Sequence, residues 1–152
     1  MSRVSLLLQR FAALTAAMAV VAATVLLALL ASSGPAGLHL GVGRLAAMCL
    51  HLLLLGLFFG TLALAVGAAV GRRSLVFAVT ATIGAATYIA NSFLAQVDAL
   101  TWTQRLSPFY YYDAGEPLRN GVRLGNAGVL LGACLVLLAA GAAAFNRRDI
   151  AV

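Results

Sequence analysis

Four long apolar runs alternate with short polar breaks along the chain, and the length of each run is its most informative property. A helix needs about 20 apolar residues to cross the hydrocarbon core of a bilayer, with a range of about 17 to 25. The runs from Phe11 to Ala31, Leu45 to Val70, Leu75 to Val97 and Ala127 to Phe145 meet that demand, the last with help from Leu124 just before it. The pattern predicts an all-α integral membrane protein, with four transmembrane helices in a single domain over residues 1–152. The second run is long enough to require tilt or an interfacial end near Ala69. "SSGPAG" (32–37) breaks the chain after the first run. "GRRS" (71–74) is so tight a turn that the second and third helices must be antiparallel neighbours. The first run exceeds a signal-peptide core and lacks a convincing cleavage site, so it is expected to be a span and not a cleaved leader.

Composition agrees with the pattern: 63% of residues are hydrophobic and 9% are charged. All ten basic residues are Arg, and they dominate a formal net charge of +6. No domain is left over to carry a basic patch, so the charge reads as membrane orientation and no nucleic-acid partner is expected. Arg3, Arg10, Arg72, Arg73, Arg147 and Arg148 share the side of the termini, whereas Arg44, Arg105, Arg119 and Arg123 fall on the other. Basic residues in short loops are retained inside, so both termini are expected in the cytoplasm of a multi-pass cell-membrane protein. Cys49 and Cys134 lie within apolar runs, where they read as small buried hydrophobes and not as a disulfide pair.

Small residues mark candidate packing faces. Gly56, Gly60, Ala63 and Gly67 recur on one face of the second span, Ala12, Ala16, Ala19 and Ala23 on one face of the first, and Gly128 and Gly132 form a GxxxG in the fourth. Such faces let helix backbones approach closely in lipid. If Leu62 of the second span faces lipid, truncating it should matter less than filling a glycine of the packed face. The third span carries a polar stripe instead: Thr80, Gly84, Thr87 and Asn91 share a face, with Ser92 and Gln96 on its shoulder. A Thr bonds its own helix backbone, but an Asn amide in hydrocarbon needs a partner. Asn91 therefore bonds a neighbouring helix or lines a substrate path, and Thr87 and Gln96 join it as candidate path-lining residues.

Catalytic constellations are missing from the pattern. Cys49 and His51 are two residues apart on a helix and point in different directions, and His39 and His51 each read as structural. There is no GxxxxGK[ST] loop for ATP, and no pair of acids lies within a span, which disfavours proton coupling through intramembrane carboxylates.

Four segments in order carry a family resemblance: "FFGTLALAVGAAVGRRS" (58–74), "YIANSFLAQVDAL" (88–100), "SPFYYYDAGEPLRNG" (107–121) and "FNRRDIAV" (145–152). Together they resemble the C-terminal four-helix portion of the permease subunit of an ATP-binding-cassette (ABC) exporter of the type-2 class. In that family a small-residue helix ends at a cytoplasmic Gly-Arg-Arg turn. A helix with Asn-Ser near its outer end follows, then an external segment starting Ser-Pro, and the last helix closes with Arg-Arg-Asp. The resemblance implies that the four spans are the third to sixth of six, and that "MSRVSLLLQRF" (1–11) leads into the third. It then implies a split or truncated permease lacking the first two helices and the coupling helix. The implied partners are an ABC ATPase subunit that binds the ATP, a second permease copy or the missing N-terminal half, and the lipid bilayer. The chain itself is expected to be no enzyme and to hold no cofactor or metal. The stretch at about 98–124 is implied to be external, with short amphipathic or re-entrant helices. Trp102, Phe109, Tyr110, Tyr111 and Tyr112 suit the headgroup layer, either as a cap over the exit of a path or as an interfacial anchor. The alternative is a stand-alone four-span structural or accessory membrane protein.

Overall fold

A computed structural model describes residues 3–33, 41–93, 96, 98–113 and 116–147, and among these all regular structure is helical. The long helices are α1 (Arg3–Ser33), α2 (Val42–Val70), α3 (Arg73–Ser92) and α6 (Leu124–Arg147). Between α3 and α6 lie a 3-10 helix (Asp98–Leu106) and two short helices, α4 (Pro108–Asp113) and α5 (Pro117–Asn120). The four long helices are long and apolar enough to cross a membrane.

The helix bounds differ from the apolar runs in informative ways. α1 begins at Arg3 because no Gly or Pro interrupts the chain before Gly34, and helix propensity does not stop where hydrophobicity does. α3 ends at Ser92, short of Val97, where Asn91 and Ser92 offer side chains that compete for backbone groups. Gln96 therefore lies beyond the helix and not on its shoulder. Its amide donates to the Ser92 carbonyl at 3.2 Å. The expected break at 34–37, His39, Val97, Arg148 and Asp149 lie outside the described residues.

Between α2 and α3 the turn is as tight as its sequence suggests. Gly71 adopts φ 69°, a left-handed conformation that L side chains rarely take, and its N–H donates to the Gly67 carbonyl at 2.9 Å. Arg72 is then extended and α3 starts at once.

α2 is the central helix, and three close contacts fix its neighbours. A Cβ placed on Gly60 would lie 2.6 Å from Leu14 Cδ2, and one on Gly56 would lie 2.9 Å from Met18 Sδ. Sequence numbers rise on α2 as they fall on α1, so the two are antiparallel. Gly67 faces Val76, and Gly84 faces Phe59, which makes α3 antiparallel as well. A Cβ on Gly141 would lie 2.9 Å from the Cα of Ala65, and the Thr61 side chain lies beside Cys134. Here both numbers rise together, so α2 and α6 are parallel. On this seam Ala47, His51, Leu54, Thr61 and Ala68 of α2 are buried, in heptad register with one another, as are Leu130, Cys134 and Gly141 of α6.

Three packing expectations are corrected. The alanines of α1 (Ala12, Ala16, Ala19 and Ala23) are exposed, and the helix turns its large residues Leu14 and Met18 into the groove left by the α2 glycines. Gly128 and Gly132 meet nothing within 4 Å, while Gly141, nearly two turns from the other end of α6, makes the backbone contact. Leu62 is 8% exposed and belongs to the core. His51 is buried, with Nδ1 2.9 Å from the carbonyl of Ala47 on its own helix, while its Nε2 has no partner among the described residues.

Gly141 and Gly60 should respond differently to one added methyl. The Leu14 side chain can rotate away from an added methyl at Gly60, but at Gly141 the obstacle is backbone. Gly141→Ala is expected to cost about 1–3 kcal/mol, the range for overpacking, and more than Gly60→Ala. Gly132→Ala should leave stability unchanged. Melting curves of the three variants in one detergent check the order, and equal values for Gly141→Ala and Gly132→Ala would contradict this seam.

Candidate functional site

The polar residues of α3 sit beside the segment that follows it. Thr87 Oγ1 donates to the Ile83 carbonyl at 2.7 Å, as a threonine in a membrane helix commonly does. The hydroxyl of Thr80 is buried and has no partner among the described residues. Asn91 is half-buried. Among the described residues no interhelical hydrogen bond to Asn91 is formed, so its amide is open to a partner helix or to water.

Ser107 is the residue that the sequence did not single out and on which the site depends. It is 1% exposed, and its hydroxyl donates to the carbonyl of Thr87 at 2.9 Å, twenty positions away. The same oxygen accepts from the Phe109 N–H at 3.2 Å, the usual helix N-cap arrangement, with Pro108 filling the first helical position. Thr87 lies about 8 Å below the Ser92 end of α3 at ~1.5 Å per residue. The chain thus leaves α3, turns back along it, and starts α4 inside the bundle. A Ser-Pro pair ahead of an aromatic run was the available signal.

This geometry separates the five aromatic residues expected to form an external cap. Trp102 is 61% exposed. Tyr110 and Tyr111 are half-buried and meet edge to face at 5.4 Å. Tyr112 lines a cavity of about 240 Å³ with Met48, Asp113, Glu116 and Pro117. Burial, and then the charge of Asp113, push the Tyr112 phenol up from its ordinary pKa, so it stays a neutral donor at physiological pH. Phe109 goes the other way, into the bundle. Its ring lies 5.5 Å from that of Phe59 on α2 and 5.5 Å from that of Tyr88 on α3. Phe59 is about 25 Å along α2 from Val42 at ~1.5 Å per residue, near the middle of that helix. Phe109 therefore packs between α2 and α3, apart from the exposed Trp102.

Two clefts flank this ring. One, of about 290 Å³, lies between α1 and α2 and is lined by Met18, Val21, Leu52, Gly56 and Phe59. The other, of about 390 Å³, lies between α2 and α3 and is lined by Phe77, Thr80, Ala81 and Gly84 with Phe59. Phe109 and Phe59 are common to both and form the wall between them. No charged side chain lines either cleft, so the space suits apolar or amphipathic molecules and not hydrated ions. Of the three candidate path-lining residues, Thr87 holds the re-entrant segment through its carbonyl, Asn91 stands one turn beyond it, and Gln96 is spent on the end of α3.

No protein-family model, no curated protein and no solved structure matches this chain. The fold and site define a class: an all-helical protein with four helices able to span a membrane and a short segment folded back among them.

Ser107→Ala removes both the tether to Thr87 and the cap of α4. It is expected to lower stability by about 1–2 kcal/mol, the range for a lost cap or buried hydrogen bond. Trp102→Ala, at an exposed position, should stay within about 0.5 kcal/mol of the parent. Thermal melting in detergent distinguishes them, and indistinguishable curves would remove Ser107 from its role.

Proposed function

We propose that the chain is the membrane-spanning permease subunit of an ABC exporter of the type-2 class, forming part of the substrate path and driven by a separate ATPase subunit. The observation that carries this reading is Asn91 on α3, half-buried and without an interhelical hydrogen bond among the described residues. An unpartnered amide is costly in lipid, so this position calls for a further helix or a water-filled path: a second permease copy or an N-terminal half would supply it. The four sequence segments that resemble the family, and the short helices between its last two spans, support the same reading.

In this proposal the permease does no bond chemistry. Closing and opening of the ATPase subunits would shift α3 against α2, and the wall of Phe109 and Phe59 between the two clefts would part. Both termini and the Arg72–Arg73 turn face the cytoplasm, where the ATPase docks.

Purification from native membranes in mild detergent tests the assembly. The expected outcome is co-purification of a subunit with a Walker ATP-binding loop, at a mass well above that of one 15.6 kDa chain. A single chain of that mass, alone, would favour the stand-alone membrane protein instead.

Orientation is tested with single cysteines at Ser74 and Arg119 in a background without Cys49 and Cys134. In intact cells an impermeant thiol reagent is expected to label position 119 and spare position 74; the reverse pattern would invert the topology.

Asn91→Ala separates path from packing. Interhelical hydrogen bonds in membranes average about 0.6 kcal/mol, so the variant should fold. With the ATPase partner present, altered transport or substrate-stimulated ATP hydrolysis is expected. Unchanged transport with a slightly lower melting temperature would leave Asn91 as a packing residue.

A further inference from the structure

Where α1 begins and α6 ends, beside the α2–α3 turn, a cleft of about 420 Å³ opens, a volume within the usual range of about 300–1,000 Å³ for ligand sites. Its rim carries Arg72 and Arg73 from the turn, and its floor is largely apolar, with Ala63 and Leu64; on α1, Arg10 stands level with Leu64 and Leu7 nearer the rim, as the seating of Leu14 against Gly60 requires. Along α2 the passage from Ala63 to Gly71 covers about 12 Å at ~1.5 Å per residue.

The rim has a second anion-seeking feature. α3 starts at Arg73 with Arg72 as its N-cap, and no side chain caps it. The free N–H groups of its first turn add partial positive charge at the same rim. No carboxylate among the described residues lines the cleft or pairs with these arginines; the ion pair the described residues form is Arg119 with Glu116, at the other end. In the sequence this end holds Arg3, Arg10, Arg72, Arg73, Arg147 and Arg148 against the single acid Asp149.

We propose that this cleft binds a phospholipid with an anionic headgroup, the phosphate against Arg72, Arg73 and the start of α3, and the upper acyl chain along Leu7 and Leu64. A free phosphate would use the rim but has no use for the floor. A zwitterionic lipid would use the floor but sets its own ammonium among the arginines. Only an amphiphile with net negative charge matches both halves. The site is independent of the permease reading and stands whether or not an ATPase partner exists.

The test uses the delipidated full chain in neutral detergent, offered phosphatidylglycerol and phosphatidylcholine with the same acyl chains, with bound lipid counted by native mass spectrometry. The parent is expected to retain phosphatidylglycerol over phosphatidylcholine. Arg72→Gln and Arg73→Gln should each reduce that preference about fivefold. Arg44→Gln, Arg119→Gln and Arg123→Gln, at the opposite end, should leave it intact. Inorganic phosphate at the same concentration should not displace the lipid. Equal retention of the two lipids by the parent would overturn the proposal without any variant. So would an equal loss in both variant sets, or displacement by phosphate alone.

Discussion

Between helices in lipid, burying one more leucine gains little, because the acyl chains it leaves are as apolar as the helix it joins. Association then depends on how closely backbones approach and how well side chains interlock. In this chain that constraint falls on α2. Its glycines at 56 and 60 form a groove for Met18 and Leu14, and a Cβ on Gly141 would stand 2.9 Å from the Cα of its Ala65. α1 and α6 are fixed on two sides of α2 by these contacts. α3 has no equivalent: a Cβ on its Gly84 would stand an ordinary 3.6 Å from Phe59. The bundle is thus tight on two seams and loose on the third.

The loose seam is where the re-entrant segment enters. Irregular backbone at membrane depth is tolerated only where it is covered by protein or lines a cavity, since its polar groups must find partners. Ser107 meets that requirement by donating to Thr87 and accepting from Phe109 N–H with one oxygen. Phe109 then fills the gap between α2 and α3 that packing alone leaves open. α3 is joined to α4 by one hydrogen bond and one ring contact, and to α2 by the Gly71 turn and ordinary van der Waals packing. The seam between α2 and α3, beside the two apolar clefts, is therefore the least closely packed of the three. The arginine-rimmed cleft sits at the opposite end of the same helix pair, where a bound lipid would bear on the α2–α3 turn.

The four helices were legible because hydrophobic run length and the Gly71–Ser74 turn state them almost without context. The glycine face of α2 was legible too, since Gly56, Gly60 and Gly67 do meet neighbours. What was not legible is which small face points inward. In water an apolar face is an inner face, but in lipid every face is apolar, so the alanines of α1 and the GxxxG of α6 gave the same signal as Gly56 and Gly60 and turned out exposed or uncontacted. Leu62 failed for the same reason. Phe109 was grouped with its tyrosine neighbours because aromatic composition carries no depth. Depth is set by Ser107, a small residue whose role exists only once α3 lies beside it.

Trp102 is the chain's one tryptophan, and this allows the depth of the re-entrant segment to be measured directly. In liposomes, fluorescence quenching by aqueous iodide is compared between the parent and a chain carrying Trp102→Phe with Phe109→Trp, the clefts beside Phe109 leaving room for the larger ring. Trp102 is expected to be quenched readily, whereas the indole at position 109 should be shielded and emit at shorter wavelength. Equal quenching at the two positions would place Phe109 at the membrane surface with the other aromatics, and the inserted segment, with the wall between the clefts, would have to be abandoned.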